Sequence, residues 1–144
     1  MDTKFSTAIH ALILIAGAEE PMTSEQIAMS VGTNATYIRK VTALLRRQGI
    51  IRSRQGVKGF ELLVKPEELS LLTIYRAVEE TERVHCFDLH QNPNDECIVG
   101  RYIQPVLTDV FREIEEKAER ELGGRTLADC MGRMRAQFAA GDKR

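Results

Sequence analysis

The chain has 144 residues, 43% of them hydrophobic and 28% charged, enough for one globular domain or a small domain with an oligomerisation element. That balance excludes wholesale disorder, no apolar run nears the roughly 18 residues of a membrane span, and the apolar stretch 8–16 holds His10 and follows no basic leader, so no signal peptide is expected. Three scattered cysteines make no disulfide framework and point to a reducing cytoplasm, while a net charge of −1 argues at first sight against a polyanionic partner.

The first expected helix runs from Ser6 to Ala18, with Phe5, Ile9, Leu12, Ile13 and Ala16 as its core stripe. Pro21 ends it, because the residue before a proline is pushed out of helical geometry. Thr23 followed by Gln26 is a capping-box pattern that opens a short helix over 24–30. After a Gly32-Thr33 turn, Asn34 caps a third helix reaching about Gln48, with Ile38, Val41, Leu44 and Leu45 inward and Gly49 as its stop.

Two short helices joined by a glycine-containing turn fit the helix-turn-helix unit. The second would present Ala35, Thr36, Tyr37, Arg39 and Lys40 outward near its N-terminus, the end that enters the major groove in such motifs. A three-helix bundle with a basic surface helix would show the same segment. The next stretch separates the two. Ile50–Ser53 and Phe60–Val64 predict two short strands around a basic, glycine-punctuated hairpin, and a helix-turn-helix followed at once by such a hairpin is a winged helix. Arg52, Arg54 and Lys58 are the candidates to lie along the phosphate backbone, with Gly56 and Gly59 letting the loop come close to the duplex.

Charge mapped along the chain agrees. Residues 1–65 carry nine Lys/Arg and five Asp/Glu, and residues 34–65 alone carry eight basic side chains against the single acid Glu61. A basic stripe within a neutral chain is the footprint of a polyanion binder.

Beyond Pro66, Ser70 caps a helix over Leu71–Thr81. An irregular stretch, 82–96, leads to a long helix with Ile103, Leu107, Val110, Ile114, Ala118 and Leu122 at alternating spacings of four and three. Such a seam predicts a homodimer that spaces two recognition helices for a two-fold symmetric operator, or alternatively packing onto the chain's own first helix. Pro105 should kink this helix or mark its first turn, Gly123-Gly124 ends it, and Thr126 caps a last helix that fades into a tail at 141–144. The fold class expected is therefore mainly α with a small two-stranded β wing. The organisation is a winged helix-turn-helix domain (1–81), a sensor or linker loop (82–97), and a dimerisation helix with a C-terminal helix (98–144).

Several segments together resemble one family. They are Phe5-Ser6-Thr7, Tyr37-Ile38, Gly49-Ile50-Ile51-Arg52-Ser53, the wing Gly56-Val57-Lys58-Gly59, and Leu69-Ser70 leading to Ala77-Val78-Glu79. They are similar to the Rrf2 family of bacterial winged-helix transcription regulators over nearly the whole chain. The resemblance implies a cytoplasmic homodimer that binds palindromic promoter DNA, usually as a repressor. Where the family wing commonly reads Gly-x-x-Gly-Gly-Tyr, this chain ends in Phe60-Glu61, which loses a glycine and brings an acid into a basic surface.

Some family members hold an iron–sulfur cluster through three closely spaced cysteines. Here Cys86 and Cys97 stand with ten residues between them and Cys130 lies far away, so the pattern is broken and no cluster is expected. His85, Cys86, His90 and Cys97 match no tight zinc spacing either, and no metal is expected. Cys97, at the N-terminus of the long helix, is a candidate redox thiol, with Cys86 or the partner subunit as its disulfide partner; an inert cysteine is the plainer alternative.

The sequence thus predicts a DNA-binding regulator with Thr36, Tyr37, Arg39, Lys40, Arg52, Arg54 and Lys58 on double-stranded DNA. Its effector is unknown and it has no membrane partner. The alternative is a winged-helix module that docks a partner protein, and Glu61 speaks for that. No nucleophile–base pair or phosphate loop suggests an enzyme.

Overall fold

A computed structural model describes residues 2–141; Met1 and residues 142–144 of the expected tail lie outside them. Six helices and one small sheet follow in the order α1 (Lys4–Gly17), α2 (Ser24–Val31), α3 (Ala35–Arg47), β1 (Ile51–Arg52), β2 (Glu61–Leu62), α4 (Leu71–Glu79), α5 (Ile98–Gly123) and α6 (Leu127–Gly141). This is the mainly helical, winged architecture the sequence predicts.

Local chemistry sets most of the boundaries. At α2 the Thr23 hydroxyl accepts from the Gln26 amide at 3.2 Å, while the Thr23 amide donates to the Gln26 side chain at 2.9 Å. The Asn34 carboxamide accepts from the Tyr37 amide at 2.8 Å to open α3, and the Ser70 hydroxyl accepts from the Thr73 amide at 3.1 Å to open α4. Each such cap is worth about 1 kcal/mol. Gly32 closes α2 in the left-handed region, φ 83°, and donates to the Ala28 carbonyl at 2.9 Å. The fourth helix stops at Glu79, two residues short of the expected end, because Glu80 turns left-handed at φ 54°.

The core is one cluster. Leu12 of α1, Ile27 of α2, Ile38, Val41 and Leu45 of α3, and Ile74 and Val78 of α4 are fully buried in it. Leu127 joins them from the far end of the chain, held there by backbone bonds from the Leu127 amide to the Leu69 carbonyl (2.8 Å) and from the Leu71 amide to the Arg125 carbonyl (2.9 Å). The first helix is turned relative to expectation. Its buried face is Thr7, Ala8, Ala11, Leu12 and Ile15, whereas Phe5, Ile9, Ile13 and Ala16 are only partly covered. Alanines at 8 and 11 let neighbouring helices approach closely, so the larger side chains are displaced to the flank.

The wing is tied down by a contact absent from the sequence reading. Strands β1 and β2 pair antiparallel, Ile51 opposite Leu62 and Arg52 opposite Glu61. A further isolated bridge joins Met22, just before α2, to Phe60: the Phe60 amide donates to the Met22 carbonyl at 2.7 Å, and the Met22 amide donates back at 3.3 Å. Gly59 has φ 108°, and a Cβ there would fall 2.8 Å from backbone atoms of both Pro21 and Met22. Gly59 is thus needed for the wing to meet its own domain, independently of any duplex.

The fifth helix stands apart. None of its residues is buried, and Pro105 lies inside it rather than in its first turn. Its C-terminal half rests near α4, where Leu122 packs on the core and a Cβ at Gly123 would lie 3.5 Å from the Leu72 side chain.

Gly59→Ala should therefore cost at least about 3 kcal/mol, from left-handed strain plus a backbone clash. Gly56→Ala, with φ 79° and open space around it, should cost about 1 kcal/mol. Urea unfolding of the two variants measures the difference; equal losses would remove the close approach as the reason for Gly59.

Candidate nucleic-acid interface

The N-terminal turns of α3 and the hairpin between β1 and β2 carry the expected DNA-contacting residues. Thr36, Arg39 and Lys40 are exposed on α3, and Arg52, Arg54 and Lys58 are exposed on the wing. Ala35 and Tyr37 depart from the outward placement expected of them: both are partly buried and packed on the core. The Tyr37 hydroxyl lies 3.5 Å from the Thr3 hydroxyl, so the side chain links the start of α3 to the start of α1.

Three of the cations are already paired. Arg39 sits 3.3 Å from the Glu25 carboxylate of α2, and its second terminal nitrogen donates to the Thr36 hydroxyl at 3.4 Å. Glu61 takes both wing arginines, Arg52 at 3.1 Å and Arg54 at 2.6 Å. Loss of solvation would raise the Glu61 carboxyl pKa, but the hydrogen bonds and charges of Arg52 and Arg54 outweigh it and hold the group below its ordinary value. The acid that looked like an intruder in the wing is a cross-strand partner, since Arg52 and Glu61 face each other in the register. The sequence contains both residues, but strands only two residues long give no periodicity from which to fix that register. These pairs are exposed, and such ion pairs contribute about 0–1 kcal/mol each, so a phosphate can displace the carboxylate cheaply. Among the described residues, Lys40 and Lys58 have no ion-pair partner within 4.0 Å.

The expected sensing residues sit at the start of α5. Cys97 is exposed at the N-cap, where the backbone amides of Gly100 and Val99 lower its thiol pKa, although it forms no full capping hydrogen bond. Gly100 is required here: a Cβ would collide with the Asn94 carbonyl, and the Cys97 amide donates to that same oxygen at 3.3 Å. Cys86 is its opposite. Burial first, and the Glu115 charge second, push its thiol up. Its backbone amide donates to Glu115 at 2.6 Å, and the Val84 amide donates to Glu119 at 2.8 Å, so two acids of α5 pin the loop 82–97 along the helix. Phe87 stacks on Phe111 with ring centroids 5.0 Å apart. All three cysteines are free thiols.

The expected dimerisation seam divides. Ile103, Leu107 and Ala118 are half-buried by the chain itself. Val110 and Ile114 remain exposed, at 42% and 44%, in a stripe that continues through Val106, Tyr102 and Val99.

Comparison with known proteins agrees with this architecture. The model of the Rrf2 family, described as an iron-dependent transcriptional regulator, matches residues 1–133. YwnA of Bacillus subtilis (strain 168), named an HTH-type transcriptional regulator, is 39% identical over 134 residues, covering 93% of this chain and 98% of that one. A solved structure described as a DNA binding protein superposes with a TM-score of 0.72 at 38% identity, over 89% of this chain and 98% of that one. CymR, described as the global cysteine regulator of B. subtilis, shares the fold at 19% identity, with a TM-score of 0.68 over 92% and 95% of the two chains.

The iron in that family description does not fit this donor set. Cys86 is tucked beside Glu115, Cys97 is exposed on α5, Cys130 packs on the core from α6, and among the described residues no three His, Cys, Asp or Glu side chains gather to hold a metal. Among those residues, too, no helix is long and apolar enough to cross a membrane. With residues 1–133 of the chain matched by the family model, the chain belongs to the Rrf2 family of transcriptional regulators, which are DNA-binding proteins and not enzymes.

Proposed function

We propose that the chain is a homodimeric, sequence-specific repressor that reads a palindromic operator in the cytoplasm, with α3 in the major groove and the wing on the flanking phosphates. The observation that carries this reading is the set of six exposed polar or cationic side chains, Thr36, Arg39, Lys40, Arg52, Arg54 and Lys58, on the two elements a winged helix lays on DNA. In this reading residues 1–81 form the DNA-binding domain, 82–97 a sensor or linker loop, and 98–144 the dimerisation helix followed by a C-terminal helix.

Arg39 is placed to read a base edge, where its loss should cost about 1–3 kcal/mol and relax specificity at one position. Lys58 is placed on a phosphate, so Lys58→Ala should weaken binding to all sequences alike and flatten the salt dependence by about one unit of log–log slope. Electrophoretic mobility shifts against the chain's own upstream region, at several salt concentrations, measure both. Operator affinity unchanged in the two variants would remove α3 and the wing as the interface.

The Glu61 clamp supports a second reading, in which the wing docks a protein and its arginines are spoken for. Glu61→Gln separates the two: a DNA-reading wing gains affinity when the competing carboxylate is neutralised, whereas a wing that does not meet DNA is indifferent.

Dimerisation is assigned to the exposed stripe Val99, Tyr102, Val106, Val110 and Ile114, extended by Ile103, Leu107 and Ala118. Val106→Asp, 54% exposed and so harmless to a folded monomer, should shift sedimentation from dimer to monomer and abolish operator binding. A dimer that survives the change would place the seam elsewhere.

Cys97 is assigned as the redox thiol, with Cys86 as its candidate partner. Its lowered pKa predicts a larger thiolate fraction at neutral pH than Cys86 has, because a depressed pKa favours the charged form at any pH near it. Iodoacetamide should label Cys97 first, with a pH midpoint below the ordinary thiol value, and Cys97→Ser should make operator binding insensitive to diamide. Faster labelling of Cys86 would contradict the assignment.

A further inference from the structure

One concavity among the described residues takes no part in the contacts assigned above. It is a cleft of about 990 Å³ between α1 and α6. Its walls are Ile9, Ile13 and Leu14 on one side and Met131, Met134 and Phe138 on the other. The apolar side chains displaced from the α1 core face are what line it.

Three observations say what kind of molecule belongs there. Its volume lies at the upper end of the roughly 300–1,000 Å³ typical of small-molecule sites, and both walls come from one chain. Three methionines, Met22, Met131 and Met134, contribute unbranched, adaptable side chains that can close on ligands of varied shape. Its charge is one-sided: Arg135 stands at the cleft as an exposed cation, none of the residues lining the cleft is acidic, and among the described residues Arg135 has no ion-pair partner. The other polar groups are mostly engaged with each other, His10 Nε2 lying 2.9 Å from the Ser30 hydroxyl.

We propose that this cleft binds a small amphiphilic anion, an aliphatic or aromatic body carrying one carboxylate or sulfonate head that pairs with Arg135. Met22 gives the site a route outward. It lines the cleft, and its backbone forms the bridge to Phe60 at the base of the wing. A ligand that shifts Met22 therefore shifts the wing. That coupling rests on the DNA-binding reading, whereas occupancy of the cleft does not.

The test needs no DNA. The full chain is titrated with 8-anilinonaphthalene-1-sulfonate, followed by fluorescence, and the dye is then displaced with dodecanoate or with uncharged dodecanol. One saturable site per chain is expected, with dodecanoate binding at least tenfold more tightly than dodecanol. Arg135→Gln, a surface change that does not challenge folding, should weaken dodecanoate at least fivefold. Leu14→Trp, which fills the cleft, should weaken it at least tenfold with an unchanged circular-dichroism melt. Absence of a saturable site, or equal affinity for acid and alcohol that Arg135→Gln leaves untouched, would overturn the proposal. So would a change of sedimentation mass in Leu14→Trp, which would make the cleft a seat for a second copy of the chain.

Discussion

The two hydrogen bonds between Met22 and Phe60 join the wing of this molecule to its helical body. A two-residue ladder between β1 and β2 is too short to be stable by itself. The bridge makes the hairpin part of the helical body, and it does so at the residue that leads into α2. Since α2 packs on α3 and leads into it through residues 32–34, the same two bonds fix the wing relative to α3. A winged helix needs that relation to be rigid, because wing and helix must meet one duplex at once. Gly59 is what the bridge requires, and of the two wing glycines it is the one with no room for a side chain.

The electrostatics have the same local character. The net charge of −1 describes no surface of the protein, because a basic segment at 34–65 is offset by acids elsewhere. Within that segment the charge is partly answered again, by Glu61 on the wing and by Glu25 beneath Arg39. The arginines thereby have carboxylate partners within their own fold. Exposed pairs of this kind are weak enough to exchange, so the arrangement pairs the cations at little cost to affinity.

Much of this was legible in the sequence, and the reasons are physical. Capping is encoded within four residues, so Thr23, Asn34 and Ser70 announced their helices, and left-handed glycines announced the ends. The third helix and the wing followed from element order and turn chemistry. Features set by contacts between distant segments were not legible. The periodicity of α1 pointed to its large side chains, yet close packing chose the face with Ala8 and Ala11. The Met22–Phe60 bridge joins positions whose strands carry no alternation to read. Glu115 and Glu119 accept backbone amides of the loop before the helix, a contact between distant segments that no spacing along the chain announces. Of the cation candidates, the sequence identified the side chains and missed their partners.

The return of the chain through Arg125 to Leu127 has a mechanical consequence. Those backbone bonds clamp the C-terminal end of α5 to the entry of α4, while nothing in the helix is buried. The helix is thus a rod fixed at one end. Twenty-six residues make it about 39 Å long, with Cys97 at the opposite end from the clamp. A rotation of about 5° at the clamped end carries the far end about 3 Å, by the same helix dimensions. The loop 82–97 is bonded both to this rod, through Glu115 and Glu119, and to α4, through Tyr75 and Arg76, so it bridges the two helices. A modest repacking where Leu127 meets the core is therefore magnified at the thiol, and a force applied at the thiol reaches the core with long leverage.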